Sequence, residues 1–295
     1  MVIVVKKRTK LNIRDNPRGN TLYWGDLDGK TWTKWSISIW DIVKSSEERK
    51  LGHPAMFPLE LCLRLIRVYS RPGDIVLDPF MGTGSTLVAA QRLLRKGIGF
   101  EIYDYYVEIA KRRLEDEKMH ILDVFMSETL SKLTDKLDYE PVIIHDDARY
   151  VDEYLDKNTI DLVLTSPPYF NVHRRKRTSD RKKERPYGND PRDLGNINDY
   201  NVFLKELTLC FEKVYNVLKP NKMCIVIVMD VRERATLFPL HIDIANNLKK
   251  IGFELQDIII WDRRKEYNNI RPIGYPNRFL VNKVHEYIMI FRKCT

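Results

Sequence analysis

Thr165-Ser166-Pro167-Pro168-Tyr169 closes the apolar run Ile160-Asp161-Leu162-Val163-Leu164. Two consecutive prolines fix two φ angles and delete two backbone donors. The carbonyls of Ser166 and Pro167 are thereby free to accept hydrogen bonds from a ligand. Ser166 adds a hydroxyl that donates or accepts, and Tyr169 adds a π-face for stacking. Such a clamp suits an exocyclic amino group on a nucleobase, although a tripeptide of this kind is, alone, more often a plain turn after a buried strand. A second motif lies upstream, Asp78-Pro79-Phe80-Met81-Gly82-Thr83-Gly84-Ser85-Thr86. Gly82 and Gly84 permit a tight turn and close approach of a ligand to the backbone. No Lys-Ser/Thr follows the glycines, which argues against a P-loop. Glu101 ends the next strand, where a carboxylate can grip both hydroxyls of a ribose; a structural salt bridge is the plain alternative. Directly after the clamp, Arg174, Arg175, Lys176, Arg177, Arg181, Lys182, Lys183 and Arg185 stand against Asp180 and Glu184, a local charge of eight minus two, or +6. A solvated loop accounts for such a run as readily as a polyanion contact does, but its place beside the clamp favours nucleic acid.

The elements that position these groups follow an alternation of strand and helix from about Arg71 onward, the pattern of a parallel α/β sheet. Strands are expected at 74–78, 97–101, 142–145, 160–165, 223–229, 253–261 and 284–291, the last two antiparallel to each other. Helices are expected at 58–69, 83–94, 105–114, about 119–132, 199–218 and 240–251, the final one stopped by Gly252. Residues 1–50 carry Trp24, Trp32, Trp35 and Trp40 and read as small β structure or ordered loop, with tryptophans more often in a core than stacked on bases. Residues 170–198 form a long polar segment, and loops of that length are usually functional or disordered.

The 295 residues fit one large domain or one domain with insertions. The net charge of +9 and pI near 9.2 point to a polyanion partner. No apolar run reaches membrane-spanning length. Lys6, Lys7 and Arg8 follow the short apolar start, the wrong order for a secretory signal, so a cytoplasmic protein is expected. The four cysteines form no CxxC pair, so neither a zinc site nor a disulfide framework is expected.

Taken together, His53-Pro54-Ala55-Met56-Phe57-Pro58, the Val76–Thr86 segment, Gly99-Phe100-Glu101-Ile102 and Thr165–Tyr169 resemble the amino-methyltransferases of DNA, the N4-cytosine/N6-adenine family with β-type motifs. The resemblance covers most of residues 50–293. It implies S-adenosylmethionine as methyl donor, no metal, and a Rossmann-like seven-stranded, mostly parallel sheet with an antiparallel last strand and helices on both faces. Carried over by position, Asp78, Phe80, Gly82 and Gly84 would line the methionine half of the cofactor, with Pro79 and Ser85 of the same turn also binding it. Glu101 would hold the ribose and Ile102 would flank the adenine. His53, Pro54, Phe57 and Pro58 would close the pocket from the other side. Asp146 or Asp147 would reach the adenine amino group, a helix N-cap being the alternative for either. Ser166, Pro167, Pro168 and Tyr169 would hold the target base, flipped out of duplex DNA.

In this family Asp at the first clamp position mostly accompanies adenine N6 and Ser cytosine N4, so Ser166 favours a cytosine-N4 enzyme of a prokaryotic restriction–modification system, alongside a cognate endonuclease. Adenine-N6 methylation, an RNA base methyltransferase and an inactive nucleic-acid-binding relative stand as alternatives. The motif order departs from the usual β arrangement: the His-Pro-Ala segment and cofactor turn precede the clamp, as in a circular permutant. With no recognition domain expected downstream, base reading falls to residues 1–50, to 170–198, or to the 262–283 connection with Arg263, Arg264, Arg271 and Arg278. His285-Glu286 is a further candidate for the base pocket, against an ion pair or a core-facing histidine.

Overall fold

Consecutive rather than alternating apolar positions mark strands covered on both faces, and Ile75-Val76-Leu77 and Leu162-Val163-Leu164 are of this kind. In the computed structural model these residues sit in the middle of a nine-stranded sheet. The structure describes residues 2–8, 10–11, 27–50, 57–124, 139–172, 186–267 and 272–294, with backbone alone for 119–124. The chain runs through β1 (Ile3–Val5), α1 (Gly29–Trp35), β2 (Ile39–Trp40), α2 (Ser46–Lys50), α3 (Leu59–Tyr69) and β3 (Ile75–Asp78). Next come α4 (Ser85–Arg92), β4 (Lys96–Phe100), α5 (Asp104–Val124), β5 (Val142–Ile144), α6 (Val151–Tyr154) and β6 (Ile160–Thr165). The last part holds α7 (Tyr200–Val217), β7 (Leu218–Val228), a hairpin β8 (Val231–Glu233) and β9 (Thr236–Phe238), α8 (Leu240–Ile251), β10 (Phe253–Asp262) and β11 (His285–Lys293).

The strand order is β1-β5-β4-β3-β6-β7-β11-β10-β2. Every neighbouring pair is parallel except the two made by β11, which runs against both β7 and β10. This is the Rossmann-like sheet with helices on both faces and a reversed last strand. The expected count of seven is corrected to nine. The two added strands both come from the Trp-bearing N-terminal segment: β1 lies parallel to β5 at one edge, and β2 lies parallel to β10 at the other. Trp40 is buried in the second junction, and the buried Trp261 indole donates to the Ile42 carbonyl at 2.7 Å. Trp24 lies outside the described residues.

Successive side chains of each central strand feed opposite layers. Leu77, Val163 and Val226 pack against α6, α7 and α8, whereas Val76, Leu162, Ile225 and Ile227 pack with α3 and with Ala89 and Ala90 of α4. Asp199 caps α7 by accepting from the Val202 N–H at 2.9 Å, and Gly252 ends α8 in the left-handed region at φ 120°. Two further expectations change. Helices expected at 105–114 and 119–132 are one helix through Val124, because Glu115, Asp116, Glu117 and Lys118 between them are ordinary helix formers; residues 125–138 lie outside the described residues. The β8–β9 hairpin stands where no strand is expected, its strands being three residues each, too short to show an apolar alternation.

Parallel strands bring their C-terminal ends to one edge, where open α/β sheets bind ligands. Asp78, Glu101, Asp146 and Ser166 all stand at or just past such ends. Since β11 is reversed, its first residues, His285 and Glu286, reach the same edge, with His285 in register with Asp262.

Candidate active site

The cofactor turn is shaped by two positive-φ glycines, Gly82 at 54° and Gly84 at 81°. A Cβ on Gly84 would stand 2.9 Å from that of Ala110, so no larger residue fits between the turn and α5. Asp78 anchors the turn from below. It is fully buried and accepts from the Phe80 N–H (3.1 Å), the Thr86 hydroxyl (2.6 Å) and the Thr165 hydroxyl (2.7 Å). One carboxylate thus ties the end of β3 to the start of α4 and to the residue just before the clamp. Burial raises its pKa to about 6, against the pull of those three donors.

Above the turn lies a cleft, partly open to solvent, that encloses about 790 Å³ of space when the open solvent in its mouth is included. Its wall includes Pro79, Phe80, Gly82, Ser85, Glu101, Ile102, Asp146, Asp147, Phe57, Ser166 and Pro168. Two motifs about 80 residues apart in sequence therefore face one cavity. Among the expected cofactor residues, Asp78, Gly84 and Pro58 are not in the wall: Asp78 is beneath it, and Pro58 precedes α3. His53 and Pro54 lie outside the described residues.

Glu101 accepts from the Gly82 N–H at 3.0 Å on one oxygen and from the Tyr103 N–H at 2.9 Å on the other. Each oxygen keeps a lone pair for a ligand. Burial raises its pKa to about 7 despite those bonds. Asp146 accepts from Arg8 Nε (3.0 Å), the Tyr154 hydroxyl (2.9 Å) and the Asp147 N–H (2.8 Å), with Arg192 Nη1 at 3.6 Å. Burial works against the charge of Asp146, but those donors hold its carboxyl below the usual range. Asp147 caps the short turn 148–150 through the Arg149 N–H at 2.9 Å and binds that residue's guanidinium at 2.6 Å.

Sequence reasoning missed a second wall. Residues 186–196, expected to belong with the basic loop as a nucleic-acid segment, fold back over the cofactor side. Tyr187, Arg192, Asp193 and Leu194 line the cleft with Tyr103 and Tyr106. The Tyr103 hydroxyl donates to Asp193 at 2.8 Å, and a Cβ on Gly188 would meet the Tyr103 ring at 2.3 Å. Contacts between segments distant in sequence hold this cover, Tyr103 with Asp193 and Arg149 with the Arg192 carbonyl among them, and no local pattern announces it. The cluster Arg174, Arg175, Lys176, Arg177, Arg181, Lys182, Lys183 and Arg185 lies outside the described residues, as does Arg271.

Behind the clamp, Tyr169 is 6% exposed, and its ring packs in the core rather than standing free. Its hydroxyl lies 2.8 Å from Ser166 Oγ and donates to Glu286 at 2.6 Å. Glu286, 2% exposed, is paired on its other oxygen with Arg263. Arg263, expected on a nucleic-acid surface, instead points inward. It also binds Glu266 at 2.5 Å and lies 4.8 Å from the Trp261 ring centre. Arg264 is exposed but held by Asp262 at 2.6 Å. Arg278 sits on an exposed loop, where its N–H donates to the Gly274 carbonyl at 2.7 Å. Among the described residues no His/Cys/Asp/Glu group of metal-binding form occurs, and no helix is long and apolar enough to cross a membrane.

The family model described as DNA methylase, of the N6/N4 methyltransferase type, matches residues 3–112 and 160–295. Among curated relatives, the chain is 48% identical over 71 residues to the type II methyltransferase M.MjaI of Methanocaldococcus jannaschii, 23% of each chain. It is 34% identical over 127 residues to the type II methyltransferase M.HinfI of Haemophilus influenzae, 42% of this chain and 35% of that one. The matches thus span well under half the length of these relatives. A solved structure of a Thermus thermophilus protein is 30% identical over 51% of this chain and 52% of its own, with a TM-score of 0.36.

Proposed function

The chain belongs to the DNA methylase family, and we propose that it transfers the methyl group of S-adenosylmethionine to the N4 amine of a cytosine flipped out of duplex DNA. The observation that carries this reading is the shared cavity: Glu101 and Gly82 of the cofactor turn and Ser166 and Pro168 of the clamp line one cleft. The residues suit the methyl donor. Glu101 has lone pairs left for ribose hydroxyls, and Phe80 and Ile102 give apolar flanks for a flat ring. When bound, S-adenosylmethionine supplies a methyl group already activated by its sulfonium, so no metal is needed.

The chain's own work is on the other partner. A cytosine N4 lone pair is delocalised into the ring and is a poor nucleophile. Accepting its N–H bonds at the Ser166 hydroxyl and the Pro167 carbonyl favours a pyramidal nitrogen whose lone pair points out of the ring plane. Placement adds to activation, since near-attack geometry can supply ~7–11 kcal/mol of a barrier. Ser166 is the reason for preferring cytosine N4 to adenine N6.

DNA would be held on two surfaces. One is the +6 run at 174–185. The other is the loop before β11, closed by a bridge between Ile273 and Leu280 and carrying Tyr275 and Phe279 at 82% and 94% exposure. Arg278 and Lys283 flank these rings at the sheet edge that carries the clamp. Apolar wedges beside cations are the means by which proteins part stacked bases. Modification of a site shared with a cognate restriction endonuclease is part of the same reading.

The test is direct. Long PCR-amplified, unmodified DNA is incubated with labelled S-adenosylmethionine, digested to nucleosides and examined by mass spectrometry. N4-methylcytosine is expected. N6-methyladenine alone overturns the choice of base, and no transfer to DNA overturns the activity.

A further inference from the structure

We propose that Arg263 and Glu286 fix the direction of the hydrogen bonds behind the clamp, so that Ser166 meets the target as an acceptor and the site takes an amine rather than a ring carbonyl. This rests on the amino-methylation reading above and adds the groups that enforce it.

A guanidinium only donates, so Glu286 Oε1 accepts from Arg263. Arg263 is itself held in place by Glu266 (2.5 and 3.0 Å) and by the Trp261 and Tyr267 rings at 4.8 and 5.4 Å. The other Glu286 oxygen accepts a hydrogen bond from the Tyr169 hydroxyl at 2.6 Å. Tyr169 keeps that proton, because burial and then the charge of Glu286 push its pKa well above the usual value. A phenol with its one proton committed can only accept from its remaining neighbour. That neighbour is Ser166 Oγ at 2.8 Å, whose single proton is therefore directed inward at Tyr169. What Ser166 turns to the cleft is a pair of lone pairs.

Beside the proline-freed carbonyl, the clamp then presents acceptors alone. An exocyclic –NH2 has donors to match them; the O4 of thymine or O6 of guanine would face lone pairs with lone pairs. A buried polar group left so mismatched is disfavoured. Tyr169 is a clamp residue, whereas Glu286 and Arg263 are positioning residues that act through it.

An isosteric change reverses the chain. In Glu286→Gln, Arg263 still demands an oxygen, so the amide –NH2 is forced toward Tyr169. Tyr169 must then donate to Ser166, whose proton swings into the cleft and opposes the amine. Turnover on PCR-amplified DNA should fall about 10–100-fold, the scale of one misdirected transition-state hydrogen bond. KM for DNA and affinity for S-adenosylmethionine should stay within about twofold. Tyr169→Phe leaves the Ser166 proton undirected rather than reversed, so its loss should be smaller than that of Glu286→Gln.

In a Ser166→Ala background both changes should have almost no further effect on kcat, because they act only through that hydroxyl. Multiplicative losses, unchanged turnover in Glu286→Gln, or a larger loss in Tyr169→Phe would each overturn the proposal. If Glu286→Gln does not fold, the Tyr169→Phe and Ser166→Ala pair gives the same coupling. A wild-type protein that methylates no DNA defeats the activity reading instead, so the two failures are distinct.

Discussion

Around β3 and β4 the cleft is made of short turns whose backbone N–H groups aim at carboxylates. Around β6 and β11 the clamp is backed by side chains that pair over longer sequence separations, Tyr169 with Glu286 and Glu286 with Arg263, and an exposed loop precedes β11. Glu101 on the first side takes its bonds from Gly82 and Tyr103 backbones; Glu286 on the second takes them from Tyr169 and Arg263 side chains. The first arrangement is set once the chain turns, and suits a ligand that never varies. The second can be re-aimed by single substitutions, and suits a half of the site that must choose its base. Asp78 belongs to both, since it holds the cofactor turn through Phe80 and Thr86 and the clamp strand through Thr165.

The largest effect should therefore come from that shared anchor. Asp78→Ala strands three donors in a buried place, and losing about 3 kcal/mol of stability is expected from the unpaired groups. Affinity for S-adenosylmethionine and turnover should fall together, each by about a hundredfold or more. Asp78→Asn should be milder, because the Thr86 hydroxyl can rotate to accept from the new amide. Calorimetric binding of S-adenosylmethionine, with a thermal melt, checks both. A variant that lost turnover while binding cofactor normally would break the claim that Asp78 serves the two halves at once.

On the target side alone, Phe279→Ala should weaken binding to duplex DNA by about five- to twentyfold and leave cofactor affinity unchanged. A DNA whose target cytosine is mispaired should recover most of the loss, since a base already loosened costs less to extract. Fluorescence anisotropy across a salt series separates this loop from the basic run. Phe279→Ala should not alter the salt slope. Neutralising Arg174, Arg175, Lys176 and Arg177 should flatten it by about 0.9 for each phosphate left without its cation. A changed slope in Phe279→Ala, or no mispair recovery, would remove the wedge role from the loop.

The same division explains what the sequence disclosed. Most of the central strands were legible because a buried parallel strand carries an unbroken apolar run, as residues 75–77, 142–144, 162–164 and 224–228 do. The turn at Gly82 and Gly84 was legible because only glycine takes those positive φ values cheaply. The edge strands β1 and β2 were not: three and two residues carry too little pattern, and their partners are 139 and 221 positions away at Ile3–Val142 and Ile39–Ile260. Arg263 shows the limit most clearly. An arginine in a basic stretch reads as a surface cation, and only the fold brings Glu266, Glu286 and Trp261 around it. The Tyr187–Asp193 cover was hidden for the same reason, its partner being Tyr103.

The smallest expected effect tests the cofactor side by itself. The Glu101 carboxyl is raised from 4.5 to about 7 by burial. The folded chain therefore holds a proton that the unfolded chain has lost between about pH 4.5 and pH 7, and stability without ligand should fall as pH rises through that window. On the ribose role proposed above for Glu101, the hydroxyls would donate to the ionised form, and ligand binding would pull the pKa back down. Affinity for S-adenosylhomocysteine, which lacks the sulfonium charge, should rise by no more than about tenfold per pH unit from pH 6 and level off above 7. Protons should be released on binding at pH 6, seen as a dependence of the binding heat on the buffer's ionisation enthalpy. Glu101→Ala should bind more weakly and lose both the pH dependence and the proton release. Proton uptake at pH 6, or the same pH profile in Glu101→Ala, would show that another group governs the cofactor half, and the contrast with the Glu286 side would have to be redrawn around that group.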